Sequence, residues 1–176
     1  ATRRARAVLS AYTPPSVPGV PVPSTLFAYN LDKQLTQTTR PDGLLIGRTY
    51  DSAGKLDLLT TPTGNVDYDY FGLTPCPGCA PGRLQRITDP SGVVLDHAYD
   101  GLLLKSLTWS GAVSGTVSFG HDASFRVTSE TVTVGANTSS VAFGLDNDDL
   151  LICASPSTCS PAGTDALKIT LNAGNG

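Results

Sequence analysis

Four cysteines, two histidines and one acidic run are the residues of this chain whose types and spacing could do chemistry. Cys76-Pro77-Gly78-Cys79 is a C-x-x-C. A redox role would need a thioredoxin-like βαβ setting and a helix N-terminus to lower the thiol pKa. The surrounding T-P-C-P-G-C-A-P suggests neither. Four thiolates, with Cys153 and Cys159, could hold zinc, although five residues between the second pair depart from common zinc spacings. The preferred reading is a disulfide within each close pair, which suits a loop-rich chain in an oxidising compartment. Zinc and free thiols stay open as alternatives, and four cysteines allow three pairings.

His97 follows Asp96, and His121 precedes Asp122. Each pair is part of what a hydrolytic triad needs, but no G-x-S-x-G elbow accompanies them. Both are read as strand or turn positions. Asp146, Asp148 and Asp149 lie in L-D-N-D-D-L, which lacks the twelve-residue calcium loop with its central Gly and terminal Glu. A polar turn is expected. Carboxylate pairs for glycoside hydrolysis are a matter of spatial geometry, and no pair is singled out. Asn137-Thr138-Ser139 matches a glycosylation sequon and is read as a polar loop. No catalytic, cofactor-binding or metal-binding residue is expected, and the chain is expected not to be an enzyme.

The elements that hold these residues follow from composition. Of the 176 residues, 15% are charged, 18 are Gly and 13 are Pro. Short Thr-, Val- and Leu-rich runs punctuated by Gly and Pro suit strands and turns, and no helical apolar period persists. The fold is expected to be all-β. A net charge of −3 argues against nucleic acid as a partner. No run of about 18 apolar residues exists, so no membrane-spanning helix is expected. The chain begins at Ala1 and contains no Met, so a processed product or a fragment is expected.

From residue 27 the chain repeats itself. Leu35 is followed by Pro41 and Gly43, Leu56 by Pro62 and Gly64, and Leu84 by Pro90 and Gly92. G-K-L-D-L-L-T-T-P-T-G aligns with G-R-L-Q-R-I-T-D-P-S-G. Ahead of each skeleton stands an aromatic followed by Asp or Asn: Tyr29-Asn30, Tyr50-Asp51 and Tyr68-Asp69. Tyr99-Asp100, Phe119-Gly120-His121-Asp122 and Phe143-Gly144-Leu145-Asp146 come later. One unit therefore reads as one β-hairpin. The aromatic gives its ring to a shared face. The carboxylate of Asp51, Asp69 or Asp100 bonds local N–H groups in a turn, and Gly54 or Gly82 supplies a positive φ. A strand runs back, and Pro62-x-Gly64 or Pro90-x-Gly92 ends it. A lone hairpin is marginal in water, so the units must stack. Tyr29, Tyr50, Tyr68, Tyr99, Phe119 and Phe143 are expected as inter-strand core, with a sugar-stacking ladder as the alternative.

The Tyr-Asp…Gly-Lys/Arg-Leu…Thr-x-Pro-x-Gly pattern resembles the YD repeats of Rhs proteins. Tyr99–Leu104, Thr108–Gly111 and Phe125–Val127 look like the bacterial teneurin-like branch of that family. The resemblance covers about residues 26–176. It implies a tandem-hairpin antiparallel sheet that curves and spirals into part of a hollow shell. In Rhs and Tc-type proteins such a shell encloses a toxic polypeptide, and in teneurins a similar barrel serves cell-surface adhesion. No self-cleaving aspartyl segment is present. Asp89-Pro90-Ser91-Gly92 lies at repeat spacing inside the array and reads as an ordinary turn.

Three segments are expected. Residues 1–25 are an Arg- and Pro-rich extended segment or linker. Residues 26–152 are the repeat array, and residues 153–176 are a Cys-bridged loop and the start of a further repeat. The expected partners are further YD repeats or copies of the chain, with an enclosed toxin polypeptide or a surface glycan as further partners. The expected location is secreted or at the cell surface of a bacterium.

Overall fold

The computed structural model describes residues 8–16, 18–19, 22–72, 80–156 and 159, and the backbone of residues 167–168. Cys76, Cys79, the Arg-rich start and the Asn175-Gly176 ending lie outside the described residues. The strands are β1 (Ala11–Tyr12), β2 (Thr25–Tyr29), β3 (Leu35–Thr39), β4 (Leu45–Tyr50), β5 (Leu56–Thr61), β6 (Gly64–Tyr70) and β7 (Leu84–Thr88). They continue with β8 (Val94–Asp100), β9 (Leu103–Ser110), β10 (Gly115–His121), β11 (Val127–Val134), β12 (Asn137–Leu145), β13 (Leu151–Ser155) and β14 (Leu167–Lys168). Strand order in the sheet is chain order, and no helix occurs among the described residues. The fold is all-β and built from consecutive antiparallel hairpins. Within the segment expected to be extended or a linker, Ala11 and Tyr12 form a short strand and pair with Leu26 and Thr25.

Two compact units divide the chain, residues 1–69 with 87–91, and residues 70–86 with 92–176. In the first, alternation sets the faces. Val66 and Tyr68 are half-buried in β6, while Asn65, Asp67 and Asp69 are exposed. Cross-strand pairing joins Arg48 to Leu59 and Leu59 to Val66 on one face. In the second unit, one row runs His97–Leu107–Val117–Val132 across four strands. Its opposite face carries Thr108, Thr116, Thr133 and Thr138 in one rank, and Ser106, Ser118, Thr131 and Ser140 in the next. Each strand thus contributes a hydroxyl–x–hydroxyl triplet, which is the period-2 pattern of a sheet with chemically different sides.

Five of the hairpins carry an extra residue in the returning strand. The register shifts at Ala28/Tyr29, Thr49/Tyr50, Ala98/Tyr99, Gly120/His121 and Gly144/Leu145. A bulge at each of these places sharpens the local twist in the same position of successive units.

Candidate functional site

The repeated chemistry gathers at the turns that follow these bulges. Asp51 Oδ1 accepts hydrogen bonds from the amides of Ala53 (2.9 Å) and Lys55 (2.8 Å). Asp122 Oδ1 accepts from Ser124 (2.8 Å) and Arg126 (3.0 Å), and Asp146 Oδ1 from Asp148 and Leu150 (both 2.9 Å). Asn30 does the same for Gln34 at 2.9 Å. The acidic run Asp146, Asp148 and Asp149 is therefore one of these turns, and no cluster suited to a metal ion occurs among the described residues. The residue just before the one that closes each turn has a positive φ: Lys33 (64°), Gly54 (79°), Gly82 (73°), Phe125 (65°) and Asp149 (64°). The position is set by the turn, and glycine is only its cheapest occupant.

The third turn keeps this closure without an acid. The Phe71 amide donates to Arg83 O, and the Gly82 amide to Phe71 O, each at 2.9 Å. The segment with Cys76 and Cys79 is thereby inserted within a turn whose two ends still meet. This closure places Tyr70 at the position of Tyr29 and Tyr50, two residues beyond Tyr68. Asp69, expected in the turn, is instead an exposed residue of β6. By the same alignment His121 and Leu145 take the tyrosine position, not Phe119 and Phe143, which lie two residues earlier in β10 and β12. Asp100 ends β8, and a short turn at Gly101-Leu102 replaces the longer one.

The tyrosines do more than fill a face. Tyr50 Oη donates to Leu35 O at 2.8 Å, and Tyr99 Oη to Leu84 O at 3.1 Å. Tyr29 Oη reaches Leu9 O at 2.9 Å. Tyr50 and Tyr99 thus tie their strands to the first residue of the strand before. Tyr99 is 7% exposed, among the most buried residues described. Phe71 meets it edge-on at 6.0 Å between centroids, the Arg83 guanidinium lies 5.5 Å above it, and His97 stacks at 6.4 Å. His97 Nδ1 is buried without a hydrogen-bond partner among the described residues. Asp96, its sequence neighbour, is held instead by Arg86, Nε to Oδ1 at 2.7 Å. Among the described residues neither histidine forms a hydrogen-bonded acid–histidine pair.

Neighbouring turns are joined by the residue after the positive-φ position. Gln34 Nε2 donates to Gly54 O at 2.8 Å. Arg126 donates to Asp122 Oδ2 (2.7 Å), Asp146 O (3.1 Å) and Asp149 Oδ1 (2.8 Å). Sequence reading found the turns but missed this clamp. Its signal is the Asp/Asn-x-x-x-Arg/Lys/Gln spacing, visible at Asn30–Gln34, Asp51–Lys55 and Asp122–Arg126.

These bonds hold the carboxyls of Asp51 and Asp122 below the usual carboxylate range, chiefly through the Lys55 and Arg126 amides respectively. A depressed folded-state pKa contributes stability that is present above the unfolded value and lost as pH falls through the folded one. Stability should therefore decline from about pH 4 downward. Asp122→Asn keeps an acceptor oxygen but removes the titration. Its denaturant midpoint should be lower than that of the parent chain at neutral pH, and the gap should narrow as the acid limb is entered.

The remaining site residues occupy the other end of the hairpins. Pro62 leads the turn between Thr61 and Gly64, which pair with each other. At the corresponding turn Asp89 Oδ1 accepts from the Ser91 amide (2.8 Å), with Pro90 and Gly92 on either side. Gly64 and Gly92 both have positive φ, 131° and 84°. Cys153 and Cys159 are joined by a disulfide.

No family model and no curated protein matches the chain. Solved structures do. A TcdB2–TccC3–Cdc42 crystal structure matches with a TM-score of 0.62 and 17% identity, over 76% of this chain. A TcdB2–TccC3 structure matches to the same degree. The Photorhabdus luminescens Tc holotoxin pore matches with a TM-score of 0.56 at 17% identity. The chain spans only 7% of the length of each of these chains. Likeness at this identity establishes the fold.

Proposed function

We propose that this chain is a non-catalytic structural segment of an extracellular bacterial YD/Rhs-repeat shell or sheath. It assembles through its sheet edges with further repeats or with copies of itself, and an enclosed toxin polypeptide is the cargo such a shell would hold. The observation that carries this reading is the pairing of a repeated hairpin with very shallow burial. Among the described residues no large side chain is fully buried. A sheet of this kind gains its stability from neighbours along the array and from whatever covers its apolar face. The likeness to Tc toxin chains supports a shell role. The turn network supports it too, since its charged groups bind one another and the backbone.

Edge pairing is tested by placing a charge on β1, the outermost strand at that end among the described residues, a device that discourages strand addition. Ala11→Lys should lower self-association of the chain in sedimentation velocity and leave its circular dichroism unchanged. Undiminished association would refute the role assigned to that edge.

A second reading, a surface-glycan adhesin, is favoured by one observation, the two hydroxyl ranks of the second unit. Thr108 and Thr116 share a hydrogen bond at 3.2 Å, as do Thr131 and Ser140 at 2.8 Å. Such pairs leave acceptor sites unused. Retention on a glycan array that is lost in Thr131→Val would support the adhesin; no retention would dismiss it.

A further inference from the structure

Two departures from the repeat fall beside one cavity of the second unit. The first is Asp100. It follows Tyr99 as Asp51 follows Tyr50, and Tyr99 keeps the repeat's phenol bond, to Leu84 O. Asp51, Asp122 and Asp146 each use Oδ1 to hold two amides of the turn that follows. After Asp100 the turn is only Gly101-Leu102, because Asp100 itself pairs with Leu103. The acid stands in its repeat position without the loop it would close. It is exposed, and no cation pairs with it among the described residues.

The second departure is Phe125. It takes the positive-φ position of its turn, at 65°, where other turns have Gly54 or Gly82. A left-handed backbone is unfavourable for a bulky side chain. Burial does not offset it, because Phe125 is 71% exposed. Backbone strain with no packing gain points to a use outside the fold. Asp100 and Phe125 both line a cavity of about 570 Å³, with Gly101, Leu102 and Leu103 as the other lining residues among those described. That is the size of a small-molecule site. Leu102 is 75% exposed at the tip of its turn, so an apolar wall faces solvent here. The only charged residue of this lining is Asp100. Arg126, next to Phe125, is already engaged by Asp122, Asp149 and Asp146 O.

We propose that this cavity binds a small organic cation with an apolar body, of the arylalkylammonium class. The apolar body covers Leu102 and Leu103 and leaves water. The ammonium is held by the Asp100 carboxylate and by the face of the Phe125 ring, which attracts cations. An anion of the same shape meets the repulsion of Asp100 and is rejected. The site lies within one unit and needs no assembly, so its test is independent of the scaffold reading.

The test is calorimetric titration of the full chain with phenethylammonium, and with hydrocinnamate, which has the same phenyl body and a carboxylate in place of the ammonium. The cation should bind at least about tenfold more tightly than the anion, the weight of one charge-assisted contact. Asp100→Asn should remove most of that preference. Phe125→Gly should weaken the cation by about tenfold. Its urea midpoint should stay level or rise, since glycine accepts the positive φ and little buried surface is given up. No saturable binding of phenethylammonium, equal binding of hydrocinnamate, or a titration unchanged in either variant would each overturn the site. So would a Phe125→Gly midpoint below that of the parent chain, which would make the ring a support of the fold. The two ligands on the parent chain decide the charge preference without any variant.

Discussion

Tyr99→Ala is expected to cost the second unit about 3–5 kcal/mol, the range for removing a buried aromatic ring. Tyr99 is the aromatic most enclosed among the described residues, and its loss strips contacts from Phe71, Arg83 and His97 together. It also leaves Leu84 O without the phenol donor it has at 3.1 Å. Tyr99→Phe separates the two contributions. It keeps the ring and removes only the hydrogen bond, so about 1 kcal/mol is expected. Urea unfolding followed by fluorescence of the single Trp measures both. Equal costs for the two variants would mean that the hydroxyl, and not the packing, fixes this position.

Gly115→Val should be the other large loss. Gly115 pairs with Trp109 across β9 and β10, and the indole lies where a side chain on Gly115 would stand. A Cβ there would also come 2.6 Å from Thr133 O, a backbone atom that cannot swing away. An aromatic ring laid over a strand glycine restores the packing the glycine lacks. Forcing the two apart is overpacking, for which about 3 kcal/mol is expected. Gly72→Ala is the control, since nothing lies within 4 Å of the added carbon. Adding Trp109→Ala to Gly115→Val should recover part of the loss, because the indole clash is then gone while the Thr133 contact remains. Urea unfolding followed by circular dichroism reads this cycle, since Trp109 is the single Trp, and additive losses would contradict the stacking account.

The repeat was legible because hairpin chemistry is local. Pro at a fixed place in a turn and Asp before a bonded loop announce themselves in the sequence, so the unit and its β character could be read without tertiary information. The phase of each unit was harder. The run Asp67-Tyr68-Asp69-Tyr70 offers two tyrosine–neighbour pairs, and only closure of the turn on Phe71 chooses between them. Phe119 and Phe143 drew attention as aromatics, whereas the structural position belongs to whatever precedes the turn acid, His121 or Leu145. Counting back from Asp122 and Asp146 would have found it. The Arg126 clamp and the cavity at Asp100 and Phe125 depend on neighbours twenty or more residues away, and local pattern does not carry that information. The hydroxyl ranks needed the register: T-V-T in β11 is an ordinary strand sequence until three neighbours align with it.

The measurement that bears most directly on the central claim is the native mass of the particle, by light scattering on a size-exclusion column. The proposed scaffold, with strand edges available for pairing, predicts an assembly well above the 18.2 kDa of one chain, growing with concentration. A single species at the mass of one chain at every concentration would contradict assembly through the edges.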